Sequence, residues 1–373
     1  MLRSSSLPPE ASGLAGDTAA YLGQRVPDML PGRPSVCSIE SLADGVWCVA
    51  TGDGRKTVVK HQLFGFLTRD KAYDLLQVER EVLELLNEAG CPVPEVLGID
   101  EDAQCIFLQW VGDCTLDEAI QAGNRASVRW AIEGLCAIDR ICTRNQDRLE
   151  LRVVPVADRD ALRSAWDQAG ARACEGVERL FHHLERPFDA GVIPLLTGMQ
   201  RWLAERSPVL GSTDYNAHNA VVDPEGFGLR FLEFAKIGWD WTERRLVQYT
   251  TSMGSGRADG RMRSLLDACA ARFYARVSGR ADGARALDYH RIFFLLNGAA
   301  LLCSALDGRS RVASSQGSVQ DAQAVGLLER WEKPDQRLRQ FASMLVQGLS
   351  EDPVAVEFRE EIAVLLRVNG GIL

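Results

Sequence analysis

Two small groups of side chains in this sequence could do chemistry. The first is Lys60, at the end of the apolar run Thr57–Lys60 (TVVK), together with Glu79. Lysine is scarce here: of 42 basic residues only Lys56, Lys60, Lys71, Lys236 and Lys333 are lysines. The spacing predicts a helix over residues 70–89. Ala72, Leu75, Leu76, Val82, Leu83 and Leu86 form its apolar stripe, and Gln77, Glu81, Glu84 and Glu88 its polar face. Glu79 falls in the stripe. A carboxylate on a buried face needs a partner, because desolvating it alone is costly, and Lys60 is the candidate. The plain alternative is a glutamate at the stripe's edge and a lysine snorkelling from a strand end.

The second group lies in residues 211–241, where Ala220–Asp223 and Leu229–Phe234 read as two strands joined by a turn over Pro224–Gly228. An antiparallel pairing brings Asn219, just before the first strand, next to Glu233 at the end of the second. Asp214 sits five residues upstream of Asn219 in a polar loop. One amide oxygen and two carboxylates then converge at one end of the hairpin. Hard oxygen donors of this kind suit Mg²⁺ or Mn²⁺, with phosphate oxygens at the remaining positions. Asx-turns made by Asp214, Asn216 and Asn219 are the competing explanation. His218 reads as a loop-orienting residue rather than a base, and His182, His183 and His290 lie in helical stretches without a signal.

These residues need a scaffold, and the chain offers one in two parts. Val36–Leu42, Val46–Thr51 and Lys56–Lys60 read as strands linked by the Ala43–Asp44–Gly45 and Gly52–Arg55 turns, and Ile106–Val111 as another. After Cys114 the pattern is helical, with helices expected near 115–122, 126–145, 159–182, 186–208, 242–252, 260–278, 285–307, 319–348 and 354–367. The expected architecture is α+β and bilobal: an N-terminal extension (1–35) with a short helical pattern near Asp17–Val26, a small mixed-sheet lobe (36–112) and a larger, mainly helical lobe (113–373), with a ligand cleft between the lobes.

Composition agrees with an ordinary globular chain. Its 373 residues are 46% hydrophobic and 25% charged, with mean hydropathy −0.10, which excludes disordered and collagen-like readings. The formal charge of −9 disfavours a nucleic-acid partner. Ten cysteines without a CxxC or Cys/His cluster point to a reducing, cytoplasmic setting rather than structural zinc or a disulfide framework. No signal-peptide pattern is visible at the start. The longest apolar stretch, Ile292–Leu306, reads as a buried helix too short for a membrane.

The order of strand lysine, helix glutamate, apolar linker strand, D-x-x-x-x-N and a hairpin ending in an acid resembles the aminoglycoside phosphotransferase-like branch of the protein-kinase-like fold, over about residues 36–350. The resemblance implies that Lys60, held by Glu79, orients nucleotide phosphates. Gln109–Val111 would be the inter-lobe linker whose backbone holds the adenine, and the Asp44–Gly45 turn would cover the phosphates with backbone N–H groups. Asp214 would be the catalytic aspartate, with Asn219 and Glu233 as metal ligands, followed by the Gly238–Trp239–Asp240 segment; the helix around Tyr289–Leu306 would belong to the helical lobe. The implied cofactors are ATP and Mg²⁺, with Mn²⁺ as a substitute. The implied reaction is transfer of the γ-phosphoryl group to a hydroxyl of a small molecule: an aminoglycoside, a sugar, an amino alcohol, a nucleoside or a natural-product intermediate.

Two positions depart from the pattern. Ser212 stands where a histidine is usual, two residues before Asp214, and Glu233 stands where an aspartate is usual. The longer acid keeps a second expectation open: a pseudokinase that binds nucleotide or a partner without transfer.

Overall fold

The computed structural model describes residues 18–223, 225, 228–253, 261–313 and 333–367. The chain is α+β. Strands β1 (Val36–Ala43), β2 (Val46–Thr51), β3 (Lys56–His61), β4 (Val96–Asp100) and β5 (Cys105–Gln109) form one sheet in the order β1-β2-β3-β5-β4. The expected mixed sheet is antiparallel at every pairing. The reason is the crossover. A helix carries the chain from β3 to β4, which run the same way, but β5 inserts between them and pairs antiparallel with both.

Alternation along these strands sorts the side chains between two cores. Val59, Cys105 and Phe107 face α1 (Thr18–Met29), which lays Leu22 and Val26 on the sheet and ties Arg25 and Tyr21 to Asp100 at 2.8 and 3.0 Å. Ile106 and Leu108 face the opposite way, where Val58 also packs. Lys60, two residues on from Val58, shares that face. The helical turn α2 (Gly65–Thr68) leads to α3 (Leu75–Glu88). The sequence suggests a start near residue 70. The helix instead begins after Asp74, whose carboxylate accepts the Leu76 and Gln77 N–H groups, so Ala72 lies outside it.

Helices then dominate: α4 (Leu116–Gln121), α5 (Arg125–Arg144), α6 (Gln146–Glu150), α7 (Arg159–His183) and α8 (Val192–Ala204). Between them and the later helices lie four short strands, paired as β6 (Val209–Ser212) with β9 (Ile237–Asp240) and β7 (Ala220–Val222) with β8 (Leu229–Phe231). Positions 224, 226 and 227 of the expected turn lie outside the described residues, as do residues 1–17 and 319–332 of the expected extension and late helix. The chain continues through α9 (Thr242–Tyr249), the β10–β11 ladder (Thr251–Ser252 with Arg263–Ser264), α10 (Ala268–Ser278), α11 (Gly283–Ala313), α12 (Pro334–Leu345) and α13 (Pro353–Arg367).

The apolar stretch around Ile292–Leu306 belongs to a helix of 31 residues, longer than the run of apolar letters suggests. Its span Gly283–Arg309 is long and apolar enough to cross a membrane, yet 61% of its most apolar window is buried within the protein. Tyr289, Leu296 and Cys303 are at 0% exposure, which marks it as the central core helix of the helical part.

Candidate active site

The face-sharing of Val58 and Lys60 sets the site's first contact. The Lys60 ammonium donates to Glu79 Oε1 at 2.8 Å and to Glu233 Oε2 at 2.7 Å. Glu79 is 1% exposed, and its second oxygen accepts from the Gln62 amide. Burial pushes the Glu79 carboxyl up, and Lys60 pulls it back. Burial would lower the Lys60 ammonium, but Glu79 and then Glu233 outweigh it and hold the group above its ordinary value. The lysine thus stays charged, with one of its three donors still free for a ligand.

The hairpin supplies the other half. Ala220 pairs with Phe231, and the Leu232 N–H donates to the Asn219 carbonyl at 2.9 Å, so Asn219 sits beside Leu232–Glu233. Asn219 Nδ2 donates to the Asp214 carbonyl at 2.9 Å, which leaves its Oδ1 available. Asn216 Nδ2 donates to the Asp214 carboxylate at 3.1 Å, and its Oδ1 caps the His218 N–H at 2.9 Å. The expected Asx-turn chemistry is therefore present at Asn216 and coexists with the convergence of Asn219 and Glu233.

Lys60, Glu79, Asn219 and Glu233 line one cleft of about 460 Å³, together with Gln109, Val111 and His218. The linker comes from the end of β5. The Gln109 N–H is given to the Glu95 carbonyl at 2.9 Å, so a ligand meets the peptide run from Trp110 to Gly112. Two expected residues stand outside this lining. Gly45 occupies a two-residue turn that joins Ala43 to Val46. Its Cα faces Leu63 and the His61 carbonyl, and Ala43 and Val46 line the cleft instead. Asp214 is exposed and is tied by its backbone carbonyl to Asn219, which lines the cleft.

For a divalent cation the fit is favourable. Asn219 Oδ1 and the Glu233 oxygen not engaged by Lys60 are hard donors on one wall. Among the described residues no three His, Cys, Asp or Glu side chains converge; a cation held by Asn219 and Glu233 would take the rest of its sphere from phosphate and water, as Mg²⁺ commonly does.

Three contributors were not legible as such in the sequence. Ser212 Oγ donates to the Glu233 carbonyl at 2.6 Å and accepts the Asp214 N–H at 3.1 Å. The hydroxyl thus joins both acidic segments and holds Glu233 at φ +66°, a left-handed conformation unfavourable to glutamate. Arg245, 1% exposed, donates to the carbonyls of Ser212, Val209 and Gly238 at 3.2, 3.1 and 3.0 Å. A Cβ on Gly211 would meet that guanidinium at 2.9 Å. Asp240, in β9, accepts from the Tyr215 hydroxyl and from Arg244 at 3.1 Å. For Arg245 a signal existed: it lies on the same helical face as Thr242 and Tyr249, both buried.

No family model matches the chain, and neither does any curated protein. Among solved structures it is similar to an aminoglycoside-3'-phosphotransferase of type VIII at 19% identity and TM-score 0.40, over 75% of this chain and 99% of that one. It is also similar to an aminoglycoside phosphotransferase from Streptomyces rimosus in complex with ADP and streptomycin, at 16% identity and TM-score 0.41, covering 76% and 99%. A macrolide 2'-phosphotransferase from Brachybacterium faecium matches at 12% identity and TM-score 0.44, covering 83% and 94%. These likenesses concern the path of the chain; what the site can do rests on its own side chains.

The Ser212 bridge makes a direct prediction. Ser212→Ala removes one donor and one acceptor and frees Glu233 from its left-handed backbone. Stability should fall by about 1–2 kcal/mol, read by urea unfolding. Glu233→Asp should be tolerated better than Glu233→Val, because aspartate accepts positive φ more readily than β-branched residues.

Proposed function

We propose that the chain is a small-molecule kinase that moves the γ-phosphoryl group of ATP to a hydroxyl of its acceptor. The observation that carries this reading is the Lys60 ammonium, fixed between Glu79 and Glu233 in a cleft that also holds Asn219. Positioning and charge dominate phosphoryl transfer, and this cluster provides both.

In this reading Lys60 presents its third N–H to the nucleotide phosphates. Glu79 keeps the ammonium aimed, and Gln62 keeps Glu79 aimed. The Trp110–Gly112 backbone faces the base. Asn219 and Glu233 would hold a divalent cation, which supplies charge neutralisation on the phosphates when bound. Asp214, oriented by Asn216 and tied to Asn219, takes the proton of the acceptor hydroxyl. The acceptor oxygen bonds to the γ-phosphorus as the bridging oxygen leaves with ADP.

Asp214→Ala tests the assignment. Phosphate transfer to a panel of hydroxylated metabolites should drop by about 10²–10⁴-fold, with ADP binding by thermal shift unchanged. Loss of ADP binding as well would mean that Asp214 is structural.

A pseudokinase is the second reading, favoured by the Glu233 carboxylate being drawn onto Lys60 at 2.7 Å. It predicts nucleotide binding with no transfer in the wild type and recovery of transfer in Glu233→Asp.

A further inference from the structure

The chain carries a formal charge of −9, yet the balance reverses between α5 and α10. Arg125 and Arg129 on α5 and Arg272 and Arg276 on α10 line an open cavity of about 490 Å³, in which Asp267 is the one carboxylate. Each pair is spaced four residues apart and so shares one face of its helix. Like charges at that spacing oppose the helix, and here two such pairs face the same space.

The contacts around these arginines leave most of their charge unanswered. The guanidinium carbons of Arg129 and Arg276 lie 4.9 and 5.2 Å from the centroid of the Phe273 ring, which holds both in place. Arg272 donates to Cys269 Sγ at 3.2 Å. Asp267 caps its own helix, accepting the Ala270 N–H at 2.8 Å, and its other oxygen lies 3.8 Å from Arg125. That ion pair is exposed and holds little. Arg129, Arg272 and Arg276 have no carboxylate partner among the described residues. Elsewhere, neighbouring arginines share an acid: Arg148 and Arg152 meet on Glu81, and Arg206 and Arg280 on Glu243.

A single carboxylate fills one guanidinium fork, whereas linked phosphates offer oxygens to several forks at once. The aromatic ring in the lining is already engaged by two guanidiniums, which disfavours a nucleobase that needs a face to stack on. The volume lies within the ~300–1,000 Å³ of small-ligand sites. We propose that the groove between α5 and α10 binds a compact polyphosphate anion, a diphosphate or longer. It shares no lining residue with the Lys60 cleft and stands whether or not that cleft transfers phosphate.

Pyrophosphate, titrated calorimetrically without metal into the full-length protein, should bind wild type and the Lys60→Met/Glu79→Gln double variant alike, although the second lacks the cation of the cleft. Raising the salt concentration should weaken this binding. Arg272→Glu and Arg276→Glu, both at exposed positions, should each weaken it at least tenfold. Arg163→Glu, the same charge change at an exposed position on α7 outside the cavity, should leave it within twofold. Citrate, which carries its charge on carboxylates, should bind at least tenfold more weakly than pyrophosphate. Absence of pyrophosphate binding, binding unchanged in both cavity variants, or an equal loss in Arg163→Glu overturns the site. Binding lost in the Lys60→Met/Glu79→Gln protein and kept in the cavity variants belongs to the cleft and overturns it too. Citrate binding as tight as that of pyrophosphate overturns the polyphosphate assignment.

Discussion

Lys60→Met is expected to cost about 3–5 kcal/mol of stability, because it leaves the buried Glu79 carboxylate without its cation. In the proposed kinase reading it also abolishes phosphate transfer. Glu79 is 1% exposed and cannot turn to water; Glu233, with a side chain 29% exposed, can. The damage therefore concentrates on Glu79, whose carboxyl, already raised by burial, should rise further once Lys60 no longer opposes it. An acid with a raised folded-state pKa binds more protons folded than unfolded. Its contribution is present at low pH and lost as pH climbs through the folded value, so the variant should be closer to wild type in acid than at pH 8. Pairing it with Glu79→Gln should restore most of the stability, since removing both partners of a buried pair is far milder than removing one, while leaving transfer abolished. Chemical unfolding of the two singles and the double, at pH 5 and pH 8, decides the matter. A Lys60→Met protein as stable as wild type at pH 8 would refute the buried pair.

Arg245→Met is the second large effect, expected at 3 kcal/mol or more. Three carbonyls lose their donor at once, and Asp139 loses a cation whose nearest nitrogen is 3.9 Å away. Asp139 is already pushed up to about 6, by burial first, with Arg245 the largest opposing influence. Without Arg245 it rises further, so the deficit should widen between pH 5 and pH 8. Because Arg245 holds carbonyls on both strands of the β6–β9 pairing, next to Asp214, transfer in the proposed reaction should fall with stability. Arg245→Lys should recover little: a single ammonium cannot span three carbonyls as a planar fork does. Thermal denaturation of both variants across that pH range is the measurement, and a flat difference between variant and wild type would remove Asp139 from the account.

How far the sequence carried these conclusions depended on whether a residue broke its local pattern. Glu79 stood out because it interrupts an apolar stripe, and Lys60 because lysine is scarce. Their pairing follows from period-2 alternation in β3. Asn219 and Glu233 were legible because a hairpin fixes who sits opposite whom. Strands β6 and β9 were not: four residues each, buried throughout, they show no alternation to read. β4 hid behind Pro92 and Pro94 and a bulge between Val96 and Gly98. Gly45 carries two readings at once, because a glycine in a hairpin turn satisfies backbone geometry as readily as it makes room for phosphate. Ser212 read only as a missing histidine, since nothing in the linear order shows that its hydroxyl reaches Glu233.

The bond between Lys60 and Glu233 has one more consequence. Lys60 belongs to the five-stranded sheet and Glu233 to the segment after the small hairpin, so their contact is a catch between two halves of the molecule. Because the pair is partly buried, salt screens it only weakly. The gape of the cleft should therefore follow a ligand that competes for the lysine far more than it follows ionic strength.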